Sequence, residues 1–576
     1  MGGDWSLARV LSERPAIRLN QLGFLPDAPK RATLVTDDDE PVAFRVRAPG
    51  GAELIAGRSH PWPQRPEGSS GLAVHVLDFS GLTAVGSGLR VEAGARSSHP
   101  FAVADRLHAG LARDALQFFF LQRSGCPISE RRAPGYARPA GHVGRPPNRG
   151  DTAVPAWTGP EAERLYPGWR LGGVFDVSGG WYDAGDYGKY VVSGSLAVWQ
   201  LLSTVELLRR RAGQADGELV VLLLQECRWQ LDWMLRMQVP AGRPLAGMAF
   251  HRVHGVDWSP MPGLPHLDPT VRVLHRPSTA ATLHLAAVAA CGARVFAPID
   301  PAYAARLLGA ARVAHAAAHA RAALVAPDDE GRFGGGPYGD EDLEDDAYWA
   351  AAELYLATRE PAFLAAVTAS PQHHRDVFEP DGFDFDRVAG PARLALATAP
   401  SELPDRDRVR TSVLDAAAAL IRLQAGQPWG QPYAPAGGWD WGSNGRILNN
   451  LVVLATAAEL TGESRFGAAV ATGVDYLLGR NALGQSYIAG YGTDFTRRLR
   501  TRQFGHALDP SLPPAPVGAL AGGANSKRHR GFPSDIRLAD LPPQLCYLDE
   551  PTSETTNDVC IRWNAPLVYI ATYLDT

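Results

Sequence analysis

Cysteine is scarce in this chain. The five thiols among 576 residues, Cys126, Cys227, Cys291, Cys546 and Cys560, are scattered, odd in number and free of any CxxC spacing, which argues against a disulfide framework and for buried free thiols. Excess charge of one sign is missing as well. Lysine and arginine number 56 against 61 aspartates and glutamates, a formal net charge of -5, so the chain lacks the basic face that nucleic acid or an anionic membrane would need. A neutral or polar substrate is expected, with no nucleic acid and no membrane. The opening "MGGDWSLARVLSERP" has no apolar core of a secretory leader, and no run reads as a charge-free membrane span. The expected address is cytoplasmic if Met1 is the native start, and secreted or periplasmic if a leader has been removed.

What is present divides the chain in two. After an N-terminal extension of residues 1–16, residues 17–104 contain "RATLVT", "AFRVRAP", "LAVHVLDF" and "GLRVEAG", short β-prone runs parted by Gly, Pro, Ser and Asp, the pattern of a small β-sandwich. From residue 105 to 576 the text turns helical. "DRLHAGLARDALQFFFLQR" reads as a helix opened by an acidic cap, and ten further Ala- and Leu-rich segments follow, from "VVSGSLAVWQLLSTVELLRRR" through "PAFLAAVTA" to "WNAPLVYIATYL". No fixed period of about 34 or 40 residues recurs, so a closed double ring of helices is favoured over a solenoid. Residues 127–180, rich in Pro, Gly and Arg, form a long irregular segment.

That segment leads into "SGGWYDAGDYGKYV", where Asp183 and Asp186 stand three apart among glycines and aromatics. Turn chemistry accounts for such a pattern, because Asp and Gly cap helices and tolerate tight turns. Two acceptors on a Gly-rich loop can also hold and deprotonate a water beside a sugar. Elsewhere, "PYGDEDLEDDAYWAAAELY" crowds carboxylates before a helix, which suits either a solvated capping loop or the hard oxygen ligands of Ca²⁺. Trp181, Trp258, Trp439, Trp441 and Tyr487, in Gly-rich stretches, are candidate platforms for pyranose rings, each weighed against ordinary core packing.

Five ordered blocks, "IRLNQLGFLPDAPKRATLV", "SGGWYDAGDYGKYV", "WGSNGRILNNLVVLATAAELTG", "DYLLGRNALGQSYIAGYGT" and "TTNDVCIRWNAPLVYIATYL", resemble the glycoside hydrolase family 9 cellulases that carry an N-terminal immunoglobulin-like module. The resemblance covers nearly the whole chain. It implies an immunoglobulin-like sandwich followed by an all-α (α/α)6 barrel, and an inverting endo-β-1,4-glucanase acting on β-glucan or cello-oligosaccharides, needing no cofactor for catalysis and expected as a monomer. By the same resemblance Asp186 is the general base and Asp183 helps hold the water. The expected acid is Asp558 of "TTND", where the family typically has glutamate, with Glu554 a second candidate; a helix-cap role is the alternative for both. Calcium is implied at Asp340, Asp345 and Asp346, with Asp384 of "DGFDFDRV" a possible fourth ligand.

Departures from the pattern matter too. Where relatives hold zinc, this chain has Ser124, Gly141, His142 and Tyr182, so zinc is expected to be absent. The family's "PHHR" sugar-binding segment is lost, leaving Arg500, Arg502 and His506 as candidate replacements or solvated loop charges. Exo-acting β-glucosidase or β-glucosaminidase activity is an alternative, with residues 127–180 blocking one end of the cleft, as is a carbohydrate-binding protein with impaired hydrolysis.

Overall fold

The computed structural model describes residues 13–168, 171–211, 217–327, 333–529 and 536–576; residues 1–12 of the expected extension lie outside the described residues. Alternating strands build the first unit. One sheet runs in the order Ile17–Arg18, Arg31–Val35, Val74–Asp78 and His60–Pro61, all antiparallel. The other runs Gly23–Phe24, Phe101–Val103, Gly86–Ala93, Ala43–Arg47 and Glu53–Arg58, with Arg96–Ser97 paired to Gly86–Ala93; its first pair is parallel. Phe44 and Val46 point inward between exposed Ala43 and Arg45, as a half-buried strand requires. Between the sheets Phe24, Phe79 and Phe101 pack with ring centroids 5.4 to 5.7 Å apart.

Among the described residues, twelve helices of nine residues or more build the second unit: α1 Ala109–Leu121, α2 Val191–Arg210, α3 Gly217–Arg236, α4 Thr279–Phe296, α5 Pro301–His319, α6 Glu344–Thr358, α7 Pro361–Ala369, α8 Ala389–Thr398, α9 Arg406–Ala425, α10 Ser443–Thr461, α11 Ser464–Leu477 and α12 Ile561–Asp575. Helix α2 packs on α4, α4 on α6, α6 on α8, α8 on α10, α10 on α12, and α12 returns to α2. The others lie outside: α1 against α12, α3 against α2, α5 against α4, α7 against α6, α9 against α8 and α10, α11 against α10. Composition explains the division. Helix α4 is Ala-rich and buries 17 of its 18 residues, whereas α3 buries 8 of 20 along one stripe.

Three sequence expectations need correction. Helix α1 has no acidic cap; its cap residue is His108, whose backbone N–H donates to Asp575 Oδ1 at 3.0 Å. Helix α8 is unpredicted because Gly390 and Pro391 read as breakers, yet Pro391 falls in the first turn, where a missing N–H costs nothing. Helices Val191–Arg210 and Thr279–Phe296 are in fact long and apolar enough to cross a membrane, but both are consumed by the ring's interior.

The sandwich is bolted to the helical unit by buried polar contacts. Thr33 Oγ1 donates to the Pro428 carbonyl at 2.7 Å and Asn20 Nδ2 to Asp475 Oδ1 at 3.0 Å. Trp429 Nε1 donates to Glu67 Oε2 at 3.1 Å and Arg480 Nε to Thr33 Oγ1 at 3.2 Å.

Candidate active site

The segments that enter α2, α6, α8, α10 and α12 converge on one cleft with a cavity volume of about 210 Å³. Asp183 and Asp186 come from the first, Tyr338 from the second, Asp384, Phe385 and Asp386 from the third, Asp440 and Trp441 from the fourth, and Asp558 and Cys560 from the fifth. Because these segments lie up to hundreds of residues apart, ring closure is what brings the aspartates together.

Locally, the aspartate loop is held by contacts that account for its odd composition. Ala184 bridges Cys560 as a one-residue antiparallel pair, and Ile561 N–H donates to the Asp183 carbonyl at 2.9 Å. Gly185 N–H donates to Asp558 Oδ1 at 3.2 Å. A Cβ on Gly185 would lie 2.1 Å from the Arg500 carbonyl oxygen, and one on Gly188 would lie 2.8 Å from Asp186 Oδ2, so the two glycines permit the close approach of these strands of chain. Asn557 of "TTND" is anchored by Tyr547, whose hydroxyl donates to Asn557 Oδ1 at 2.6 Å, and by its own Nδ2 donating to the Arg498 carbonyl at 2.8 Å. Beneath the loop, Lys189 and Arg272 flank the buried Asp151 at 2.8 Å each.

The carboxyl groups differ in environment. Asp183 is fully buried; Oδ2 accepts from Tyr338 Oη at 2.5 Å and lies 3.5 Å from Cys560 Sγ, while Oδ1 has no hydrogen-bond partner. Burial pushes its carboxyl up to about 6, against the hydroxyls of Ser193 and Tyr338 and the charge of Arg562. Asp186 Oδ2 accepts from Gly188 N–H at 2.9 Å. Asp558 is pushed up to about 7 by burial, against Arg500, with Asp186 adding repulsion; its Oδ1 also accepts from Val559 N–H at 2.9 Å. Glu554 is in the same cleft but is ion-paired to Arg500 Nη2 at 2.8 Å. One buried acid therefore retains a proton near neutrality, while the other is tied to a guanidinium.

The aromatic candidates separate cleanly. Trp258, 36% exposed, and Trp441 line the cleft. Trp181 does not: its indole packs edge-on against Phe119 at 4.8 Å and donates to Glu226 Oε2 at 3.2 Å, making it the buried root of the aspartate loop. Trp439 packs on Tyr433 and Tyr476, and Tyr487 on Tyr476 and Tyr547, so both are core residues. Gly-rich surroundings misled because glycines here make room for buried rings: a Cβ on Gly442 or Gly445 would lie 2.4 or 2.3 Å from Trp563. Arg502 is also buried away from the cleft, donating to the carbonyls of Ser259 and Gly185 and lying 5.6 Å from the Trp258 ring. His506 is exposed and bonded within its own loop to the Leu512 carbonyl. Of the three candidate replacements, Arg500 reaches the cleft. No described residue of 127–180 lines it.

Sequence reasoning missed Tyr338, Arg446, Arg562 and His529. Tyr338 carried a usable signal, an aromatic in "GGGPYGD"; the arginines carried none. Asp384 is gripped by Arg562 Nη1 at 3.1 Å through both oxygens, with Arg446 at 3.6 Å, which places it in the cleft rather than with the acidic group. Asp386 lies within the tight turn from Asp384 to Arg387 and borders the same cleft, with Asp384 its nearest like charge. Asp386 also joins Asp340, Asp345 and Asp346: each is raised by burial, and neighbouring aspartates add to the rise. Buried oxygens without hydrogen-bond partners remain on Asp340, Asp345 and Asp386, whereas Asp346 Oδ1 lies 2.7 Å from His284 Nε2, which lowers its carboxyl against the burial. Among the described residues no three such side chains form a ready-made metal shell, so a cation would have to draw them together. At the zinc-like positions, His142 accepts from the Tyr182 hydroxyl at Nδ1, 2.7 Å, and donates from Nε2 to Asp268 Oδ2, 3.1 Å. Burial lowers that imidazole to about 4, which keeps it neutral.

Two aspartates on one loop and a third, raised by burial, lining the same cleft in a chain that opens with a β-sandwich are the parts of a modular glycoside hydrolase. The comparisons with known proteins agree: the model of glycosyl hydrolase family 9 matches residues 108–571 and that of the cellulase N-terminal ig-like domain matches residues 12–98. The chain belongs to glycosyl hydrolase family 9. Over 97% of its length it is 49% identical to Endoglucanase C of Cellulomonas fimi, and it spans 52% of that protein, about half. It is 35% identical over 98% of its length to a cellulose 1,4-beta-cellobiosidase of Acetivibrio thermocellus, covering 67% of it. A metagenome-derived glycoside hydrolase family 9 endoglucanase superposes with a TM-score of 0.84 at 27% identity, over 98% of this chain and all of that one.

Proposed function

We propose that the chain is an inverting endo-β-1,4-glucanase. Asp186 serves as general base, Asp183 holds the attacking water with it, and Asp558 protonates the leaving oxygen. The observation that carries this is the convergence in one cleft of the aspartate loop with Asp558, whose Oδ1 accepts from Gly185 N–H of that loop and whose carboxyl burial raises to about 7. An inverting hydrolase needs such a split, with one carboxylate free to take a proton from water and one carboxylic acid ready to give one. Glu554 is the weaker candidate because its carboxylate is engaged by Arg500 Nη2 at 2.8 Å. Trp258 and Trp441 are the sugar platforms, Arg500 a polar contact beside the leaving group. The similarity to Endoglucanase C supports β-1,4-glucan as substrate.

The cyclic packing of α2, α4, α6, α8, α10 and α12, each backed by an outer helix, supports an (α/α)6 barrel. Structural calcium at Asp340, Asp345, Asp346 and Asp386 is supported by the buried oxygens of Asp340, Asp345 and Asp386 that lack hydrogen-bond partners, while His284 compensates Asp346 in part. It would stabilise the entry to α6 and takes no part in hydrolysis. Zinc does not fit, since Tyr182 and Asp268 take both nitrogens of His142.

The test is hydrolysis of carboxymethylcellulose and cello-oligosaccharides with products resolved by size. A mixed ladder with inverted anomers supports the proposal. Monosaccharide alone would make the enzyme exo-acting, and no product at all would leave a binding protein.

A further inference from the structure

Arg562 lies in the first turn of α12, four residues past Asp558, and the reaction above gives it no task. It is 8% exposed yet forms part of the cleft wall. Asp384 takes its Nη1 through both carboxylate oxygens at 3.1 Å. The guanidinium carbon is 5.6, 5.2 and 5.1 Å from the ring centroids of Tyr338, Phe385 and Trp563, and Nε has no hydrogen-bond partner. A buried guanidinium is expensive unless a carboxylate and ring faces compensate it. Both are supplied here, so the group is fixed in place.

One of those rings leads directly to the reaction. Tyr338 packs tilted on Tyr190 at 4.3 Å and edge-on against Phe385 at 4.9 Å, and its hydroxyl donates to Asp183 Oδ2. We propose that Arg562, locked by Asp384, is a positioning residue for catalysis: it pins the Tyr338 ring and through it the Asp183 carboxylate that holds the attacking water. The inference rests on the reading of Asp183 as a water-holding group.

The arrangement has an electrostatic side. The groups facing Asp183 are Asp186 from its own loop, Tyr338 from the segment before α6, Cys560 from the segment before α12, Arg562 from α12, and the Ser193 hydroxyl from α2. Arg562 is the cation among them. Around Arg562 stand Asp384, with Arg446 beyond it, and Tyr338, Cys560 and Asp183. Burial raises the Asp183 carboxyl, and Arg562 opposes the rise. Removing the cation should raise it further; removing Asp384 leaves the cation uncompensated and should lower it.

Arg562→Gln, Arg562→Lys and Asp384→Asn, compared by kcat/KM against pH on cello-oligosaccharides, read this out. Expected are a fall in kcat and an acid limb moved up by about one pH unit in Arg562→Gln, partial return in Arg562→Lys, and a limb moved down in Asp384→Asn. Equal losses at every pH in all three variants would make Arg562 mere packing and overturn the proposal. Infrared titration of protein with ¹³C-carboxyl aspartate, using Asp183→Asn to identify the band, follows the same group without turnover. An Asp183 band that titrates identically in wild type and Arg562→Gln also overturns the inference. A shifted band in a wild-type protein that hydrolyses nothing supports the Arg562 link and overturns the hydrolase reading alone.

Discussion

Replacing Asp558 with Asn tests the acid assignment with little disturbance of the fold. Asp558 Oδ1 accepts the N–H groups of Gly185 and Val559. An asparagine carbonyl can keep both bonds, so the melting temperature should move by no more than about 2 °C. What disappears is the proton. General acid catalysis contributes about 10²–10⁴-fold, so kcat/KM on cellotetraose should fall by that factor, equivalent to about 3–5 kcal/mol of barrier. A dinitrophenyl cellobioside, whose leaving group departs as a stable phenolate, should lose far less. The pH profile supplies an independent check. Asp558 at about 7 must be protonated and Asp183 at about 6 ionised, so activity should fall as pH rises through the first and as it drops through the second. The active fraction is then largest near pH 6.5 and about sixfold lower at pH 5 and pH 8. In Asp558→Asn the high-pH fall should vanish and the low-pH fall remain. If the variant keeps most of its activity while Glu554→Gln loses it on natural substrate but not on the activated one, Glu554 is the acid and the assignment made from burial is refuted.

Three further outcomes are expected. Deleting residues 1–104 removes the sandwich partners of Asp475, Arg480, Trp429 and the Pro428 carbonyl and exposes them to water; at about 0.5–1.5 kcal/mol net for each hydrogen bond exchanged for water, calorimetry should show the helical unit melting lower by a few °C, and an unchanged melting point would contradict the docking role. Adding Ca²⁺ at a hundred times its dissociation constant should stabilise the protein by about 2.7 kcal/mol, an effect that Asp345→Asn combined with Asp346→Asn should remove; a melting curve indifferent to Ca²⁺ and EDTA would exclude the site. Trp258→Ala and Trp441→Ala should raise KM with little thermal effect, whereas Trp181→Ala should cost about 3–5 kcal/mol of stability as a core deletion; a KM effect of Trp181→Ala without destabilisation would return that residue to the cleft.

The glycines and aspartates of "DAGDYG" were legible because a close-packed loop accepts few other residues, and "TTND" was legible as a turn before an apolar helix. The helical periods of α2 to α7 and α9 to α12 could be read directly, since a buried stripe constrains composition locally. Helix α8 could not, because Pro391 in a first turn looks the same in sequence as Pro391 in a break. Tryptophan was ambiguous for a similar reason: Trp181 and Trp258 sit in equally Gly-rich text, and the difference is whether Phe119 or solvent lies beside the indole.

What the sequence determined by itself was the set of parts: a β-sandwich, a run of amphipathic and buried helices, two aspartates on a glycine loop and a third before the last helix. Only the tertiary structure decided which carboxyls are raised by burial, which arginine reaches the cleft, and that Arg562 takes Asp384 while Asp386 stands between the cleft and the acidic cluster. Those outcomes depend on burial and on charges contributed by helices far apart in the chain, and such distances are set by ring closure rather than by neighbours in sequence.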